Sequence, residues 1–84
     1  MKYEIEIERS ALKALQKIPT KDRNKIIDII KHLASNPRPT GAKKLTGRDG
    51  WRIRIGSYRI IYEIRANICY ILVLDIGHRK EIYR

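Results

Sequence analysis

Gly50-Trp51-Arg52-Ile53-Arg54-Ile55-Gly56-Ser57-Tyr58-Arg59-Ile60-Ile61-Tyr62 decides the architecture of this 84-residue chain. Trp51, Ile53 and Ile55 alternate with Arg52 and Arg54, and beyond Gly56-Ser57 the alternation resumes with Tyr58, Ile60 and Tyr62. Period-two patterning on both sides of such a pair predicts a β-hairpin with a two-residue turn. That turn sets Ile55 opposite Tyr58 and Arg54 opposite Arg59. A three-residue loop would put Ile55 opposite Arg59 and split the apolar set between faces, whereas a four-residue loop preserves the arginine pairing. Like charges directly opposite one another destabilise a strand pair. A sheet that retains them displays either a solvated basic face or a place for an anion.

Working outward, Tyr3, Ile5 and Ile7 alternate with Glu4, Glu6 and Glu8, which predicts an opening strand with one wet face. From about Arg9 to Ile18, Leu12, Leu15 and Ile18 form a helical stripe that Pro19 ends. Thr20 is placed to cap a second helix, with Asp22 in its first turn and Ile26, Ile27, Ile30, Leu33 and Ala34 as its buried stripe. That helix stops before Asn36-Pro37-Arg38-Pro39, because residues preceding proline avoid the α region. Lys43-Lys44-Leu45-Thr46 reads as a short edge segment, followed by the turn Gly47-Arg48-Asp49-Gly50. The hairpin strands, Trp51–Ile55 and Tyr58–Ile64, lead through Arg65-Ala66-Asn67 to Ile68–Leu74. That nearly all-apolar run reads as a central strand covered on both faces, and Gly77 suggests a bend beyond it. The expectation is an α+β fold, a single domain over residues 1–84: an N-terminal strand, a two-helix hairpin, then an antiparallel sheet of three or more strands with the helices on one face.

A chain this short buries only about 60% of its unfolded surface, which leaves no room for a second domain or a large cofactor site. Its 43% hydrophobic content supports a packed core. No apolar run approaches the length of a transmembrane helix, and the charged, alternating N-terminus does not resemble a secretory signal. The single Cys69, predicted to be a buried and inert thiol, fits a reducing cytoplasm.

Nineteen Lys and Arg against nine Asp and Glu give a formal charge of +10. Residues 1–35 hold eight basic and five acidic side chains, residues 36–84 eleven and four. The second part of the chain therefore carries the electropositive site, suited to a polyanion or an acidic protein partner.

Two constellations carry potential chemistry. Arg52, Arg54 and Arg59, supplemented by Lys43, Lys44, Arg48 and Arg79, offer planar donor forks that match phosphate oxygens, with Trp51 beside them. Such a cluster can stabilise the extra charge of a pentacovalent phosphorus transition state; it can equally bind polyanions without chemistry. The tail Asp75-Ile76-Gly77-His78-Arg79-Lys80-Glu81-Ile82-Tyr83-Arg84 adds His78, a residue type suited to proton transfer, and Tyr83, a potential base-stacking group. His32, on a basic helix, reads as solvated. His32, His78 and Cys69 lack metal-ligand spacing, no glycine-rich phosphate loop precedes a helix, and no cofactor or metal is expected.

Lys44-Leu45-Thr46-Gly47, the stretch Gly50 to Glu63, and Gly77-His78-Arg79-Lys80-Glu81-Ile82-Tyr83 together resemble the RelE branch of the RelE/ParE toxin superfamily of bacterial and archaeal toxin–antitoxin systems. The resemblance spans nearly the whole chain. It implies a metal-independent endoribonuclease that cuts mRNA in the ribosomal A site: the ribose 2′-hydroxyl attacks phosphorus, leaving a 2′,3′-cyclic phosphate and a 5′-hydroxyl. By matching positions, Arg52 and Arg54 fall where relatives orient and activate the 2′-hydroxyl. Arg59 matches the arginine that stabilises the transition-state phosphate, Arg79 the basic residue near the leaving oxygen, and Tyr83 the tyrosine that stacks on or orients the substrate. Lys43, Lys44, Arg48 and Trp51 are the expected RNA and ribosome contacts.

The best-known relatives carry lysines where Arg52 and Arg54 stand. Arginine, with a pKa above about 12, is a poor proton acceptor. Proton transfer then falls to His78, to Glu63 or to ribosomal RNA and water, although Glu63 also reads as a structural partner for a basic side chain. The resemblance further implies a cognate antitoxin encoded nearby, with operator DNA bound only through it. The alternatives are a ParE-like DNA gyrase inhibitor and a nontoxic member acting as corepressor with its antitoxin.

Overall fold

The computed structural model describes residues 2–78. In chain order these form β1 (Glu4–Ile7), α1 (Arg9–Gln16), α2 (Thr20–Leu33), β2 (Lys43–Lys44), β3 (Trp51–Ile55), β4 (Tyr58–Arg65), a 3-10 turn (Ala66–Ile68) and β5 (Tyr70–His78). The five strands make one sheet in the order β1-β5-β4-β3-β2. All neighbours are antiparallel except β1, which lies parallel to β5.

Alternation sorts the sheet into two faces. Ile53, Ile60, Tyr62, Ile71, Val73 and Ile76 point to one side, where they pack with Ala11, Leu15 and Ile18 of the α1 segment and with Ile26, Ile30 and Leu33 of α2. The helices pack on that face. Along α1 and the turn that follows it the buried stripe runs Ala11, Leu15, Ile18, and Leu12 is 41% exposed rather than part of it. The i, i+4, i+7 spacing of the observed stripe keeps one side of the helix against the sheet.

The N-terminal end of α2 also departs from the sequence reading. Pro19 occupies the N-cap position and Thr20 is the first helical residue. The Pro19 carbonyl accepts the Arg23 backbone N–H at 2.8 Å, and Thr20 Oγ1 accepts from the Arg23 guanidinium at 3.2 Å instead of capping the helix.

The hairpin is built as its patterning requires. Gly56 adopts φ +57°, the left-handed conformation a tight hairpin turn needs. Ile55 pairs with Tyr58 and Arg54 with Arg59. At the other end of β3, Gly50 has φ +134°, and a Cβ there would sit 3.1 Å from Leu45 Cδ1 and 3.4 Å from the Tyr62 carbonyl oxygen. The backbone must come that close for β2 and β3 to meet.

The last strand differs most from expectation. It starts at Tyr70, not Ile68: Ala66–Ile68 form the 3-10 turn, Ile68 is 61% exposed, and Cys69 closes the turn with φ 51°. Cys69 is therefore half-buried at a turn, not a thiol inside a strand. Gly77 bends nothing; it lies buried in β5 opposite Arg59.

Between the pairs Ile61–Asp75 and Tyr62–Val73 the register shifts, leaving Leu74 as an extra residue. This β-bulge reverses the alternation of β5. Ile71 and Val73 face the helices, and beyond the bulge so do Ile76 and His78, while Asp75 and Gly77 turn to the open face.

Candidate functional site

On the open face the cross-strand registers align the basic residues in two rows. One runs Lys43, Arg52, Ile61, Asp75; the next runs Arg54, Arg59, Gly77. Residues directly opposite one another share a face with Cβ atoms about 4.5–5.5 Å apart. The rows thus bring Lys43, Arg52, Arg54 and Arg59 onto one patch.

Their exposures differ. Arg54 is exposed and Arg52 half-buried, whereas Arg59 is only 3% exposed. A fully buried arginine is rare, and its charge persists because guanidinium does not deprotonate in proteins. Gly77, lacking a side chain, keeps the position opposite Arg59 clear. Arg59 accordingly forms a charged floor, with Arg54 beside it reaching solvent.

The remaining predicted residues do not all join this patch. Lys44 pairs with Trp51 at the sheet edge, on the side away from Arg52. There the Arg38 guanidinium stacks over the Trp51 ring, 5.2 Å from its centroid. Arg38, Lys44, Trp51, Glu63 and Arg65 line a shallow cleft of about 400 Å³. Arg48 is exposed in the preceding turn. Arg38 was not singled out from the sequence; its only signal was a basic residue between the helix-breaking Pro37 and Pro39.

Tyr62 fixes this corner from beneath. Its buried hydroxyl donates to the Pro37 carbonyl at 2.7 Å. Burial pushes its pKa up to about 12, with the nearby Arg38 charge acting in the opposite direction.

His78 is placed on the wrong face to serve the arginines. It pairs opposite Tyr58 on the helix side, with ring centroids 5.5 Å apart in an edge-on arrangement. Its surroundings are Ser10, Lys13, Lys17 and Tyr58, around a cleft of about 560 Å³ beside α1. The bulge at Leu74 produces this separation, because unbroken alternation from Val73 would have set residue 78 on the arginine face. Glu63 does lie on the open face, but it holds Arg65 at 3.2 Å.

His32 is exposed, with Nδ1 2.8 Å from the Asp28 carbonyl oxygen. Arg79 and Tyr83 lie outside the described residues. Among the described residues no group of three His, Cys, Asp or Glu is arranged to hold a metal ion, and no helix is long and apolar enough to cross a membrane.

The far side of the same face has the opposite character. Glu4 and Glu6 pair beside Tyr70 and Leu72. The Tyr70 hydroxyl donates to Glu6 Oε1 at 2.6 Å, and that bond raises its pKa.

Comparison with known proteins agrees with this architecture. Residues 5–83 match the family described as the ParE toxin of the type II toxin–antitoxin system parDE. A Methanocaldococcus jannaschii protein named as toxin RelE1 is 32% identical, over all of this chain and 98% of its own length. The archaeal RelE–RelB complex from Pyrococcus horikoshii superposes with a TM-score of 0.81 at 27% identity, covering 96% of this chain and 99% of that one. An Escherichia coli RelE structure shares the fold at TM-score 0.81 and 23% identity, covering 99% of this chain and 90% of that one. With its helix-backed sheet, its sequence match across nearly every residue and its RelE relatives, the chain belongs to the RelE branch of the RelE/ParE superfamily, the toxins of type II toxin–antitoxin systems.

Proposed function

We propose that the protein is a ribosome-dependent endoribonuclease that cleaves mRNA in the A site by attack of the ribose 2′-hydroxyl on the adjacent phosphorus. The observation that carries this reading is the Arg54–Arg59 pair on the sheet face away from the helices, extended by Arg52 and Lys43. In-line attack places a second negative charge on the phosphoryl oxygens, and preorganised cations around that position lower the barrier without reorganising. Arg59, held in the floor, is suited to the phosphorane oxygens. Arg54 and Arg52 orient the ribose and the flanking phosphate, with Arg79 at the leaving oxygen and Tyr83 against a base. Lys43, Lys44, Arg48 and Trp51 extend the RNA and ribosome contact, and no metal or cofactor takes part.

The relatives include RelE proteins solved in complex with RelB. By analogy the partner here is a cognate antitoxin whose acidic or amphipathic segment neutralises the +10 charge and carries the complex to operator DNA. The site of action is the cytoplasm. Long-range attraction between such partners falls with ionic strength, so the association rate should drop as salt is raised; a salt-independent rate would remove the electrostatic element.

Induction of the chain in cells with mapping of mRNA ends tests the activity. New cleavages within translated codons, absent from Arg59→Ala, are the expected result, and intact mRNA with undisturbed translation in the presence of stable protein would overturn it. The matching family model is described as a ParE toxin, which motivates gyrase inhibition as the second reading. Induction of the DNA-damage response without translation arrest is its signature, while growth unaffected by induction would point to a nontoxic corepressor.

A further inference from the structure

The geometry points to Asp75 as the general base that takes the 2′-hydroxyl proton. This rests on the nuclease reading above and identifies the group that none of the arginines can be. Guanidinium has no acceptor lone pair and stays protonated, so the basic rows can hold charge but cannot accept a proton. Of the other acceptors, His78 lies on the helix side against Tyr58, and Glu63 lies two same-face positions along β4 from Arg59 and is engaged with Arg65.

Asp75 meets the requirements that these two miss. It is exposed, it pairs opposite Ile61, and it stands diagonal to Arg59 across the β4–β5 ladder. Diagonal neighbours on one face are separated by about 7–8 Å between backbones. A phosphodiester with its neighbouring ribose would span that spacing, its phosphoryl oxygens over the buried Arg59 floor and beside the exposed Arg54, with the Asp75 carboxylate toward the 2′-oxygen.

The bulge is the second, independent observation. Alternation from Ile71 and Val73 would bury residue 75 under the helices; the extra Leu74 turns Asp75 out to the arginine face. Bulges recur beside active sites because they re-aim a side chain in this way. Strand β1 ends at Ile7, opposite Val73, so among the described residues no strand pairs with β5 on the outer side of Asp75.

The step balances as a transesterification. The Asp75 carboxylate removes the 2′-hydroxyl proton as the 2′-oxygen bonds to phosphorus; the bond from phosphorus to the 5′-oxygen breaks, and the leaving oxygen takes a proton from water. Protonated Asp75 then returns its proton to solvent. Among the described residues, the charged groups that share the face of Asp75 nearest to it in register are Arg59 and Glu63 from β4, Arg52 and Arg54 from β3, Lys43 from β2, and Glu6 from β1.

Single-turnover cleavage of mRNA on programmed ribosomes, with the full chain freed of any antitoxin, tests the assignment. Asp75→Asn should slow cleavage by about 10²- to 10⁴-fold, the usual effect of losing a general base, while affinity for the ribosome is kept. Asp75→His should recover part of the rate and bring an acid limb near pH 6.5 that the wild type lacks over pH 6–8, since imidazole titrates there and a carboxylate does not. Cleavage by Asp75→Asn within about threefold of wild type overturns the assignment, as does a slow Asp75→His whose profile stays flat, which would mark a positioning role. Wild type that leaves mRNA intact removes the nuclease reading and Asp75 together. Wild type that cuts, beside an inactive Arg59→Ala and a fully active Asp75→Asn, removes Asp75 alone.

Discussion

The open face of the sheet is two surfaces of opposite character. Toward β2 and β3 it carries Lys43, Arg52, Arg54 and Arg59; toward β1 it carries Glu4 and Glu6, with Tyr70 bonded to Glu6 and Arg65 tied to Glu63. Strands lie about 4.8 Å apart, so β1 and β3 are separated by three spacings, about 14 Å. At physiological salt the screening length is about 8 Å. Each half therefore presents its own field to a ligand, and the net charge of +10 understates the contrast between them. On the proposed reading, an RNA strand would be drawn to the basic half and turned away from the acidic one.

The largest blow to this contrast comes from its basic side. Arg59→Ala should lower single-turnover cleavage by about 10²- to 10³-fold, the scale of losing one preorganised donor to a charged transition state. Undiminished cleavage would dissociate the basic half from chemistry.

Next in size is the support beneath that half. The Tyr62 pKa is raised from 10.0 to about 12 by burial, so between those values the folded chain retains a proton that the unfolded chain has lost. Stability contributed by the neutral hydroxyl is complete below pH 10 and is lost as pH rises towards 12, on the order of 2–3 kcal/mol in all. Tyr62→Phe should remove that part of the alkaline decline. It should also cost about 1 kcal/mol at neutral pH through the Pro37 carbonyl left without its donor. Denaturant melts of both proteins across the alkaline range measure the two effects, and parallel declines would contradict the first.

A smaller change is expected from inverting the acidic half. Glu4→Lys with Glu6→Lys should tighten binding to single-stranded RNA about tenfold at low salt and steepen the salt dependence by one to two phosphate contacts, of about 0.7 each. Binding unchanged by the pair would mean that the acidic half does not steer RNA. Smallest is Tyr70→Phe, which frees Glu6: a slight loss of stability and unaltered cleavage, read from melting and the ribosome assay.

The two halves also differ in how far the sequence exposed them. The basic half was legible because Trp51 to Tyr62 combines strict alternation with a glycine turn, and one period fixes both register and face. The acidic half was half legible: Glu4 and Glu6 were expected on a wet face, but nothing local indicates that β1 runs parallel to β5, a pairing made across more than sixty residues. The end of β5 was misread for a definite reason. Apolar residues at 71 to 74 leave the phase of the strand undetermined, so the bulge at Leu74 was invisible, and with it the exchange of faces between His78 and Asp75. Cys69 was misplaced in the same run, since apolarity alone does not separate a strand from the turn that starts it. Leu12 illustrates the converse, a large apolar side chain in helical phase that points to solvent.

The parallel β1–β5 pair has a bearing on how the chain acquires its structure during synthesis. Glu4 to Ile7 meet their partners only after Tyr70 to Val73 have been made and have left the exit tunnel. The helices and the β3–β4 hairpin, built from contacts near in sequence, can form earlier, whereas closing a loop of this length is slow. Until that loop closes, the outer edge of β5 keeps its backbone N–H and C=O groups unpaired, so the β1 pairing is the step that seals this edge of the sheet.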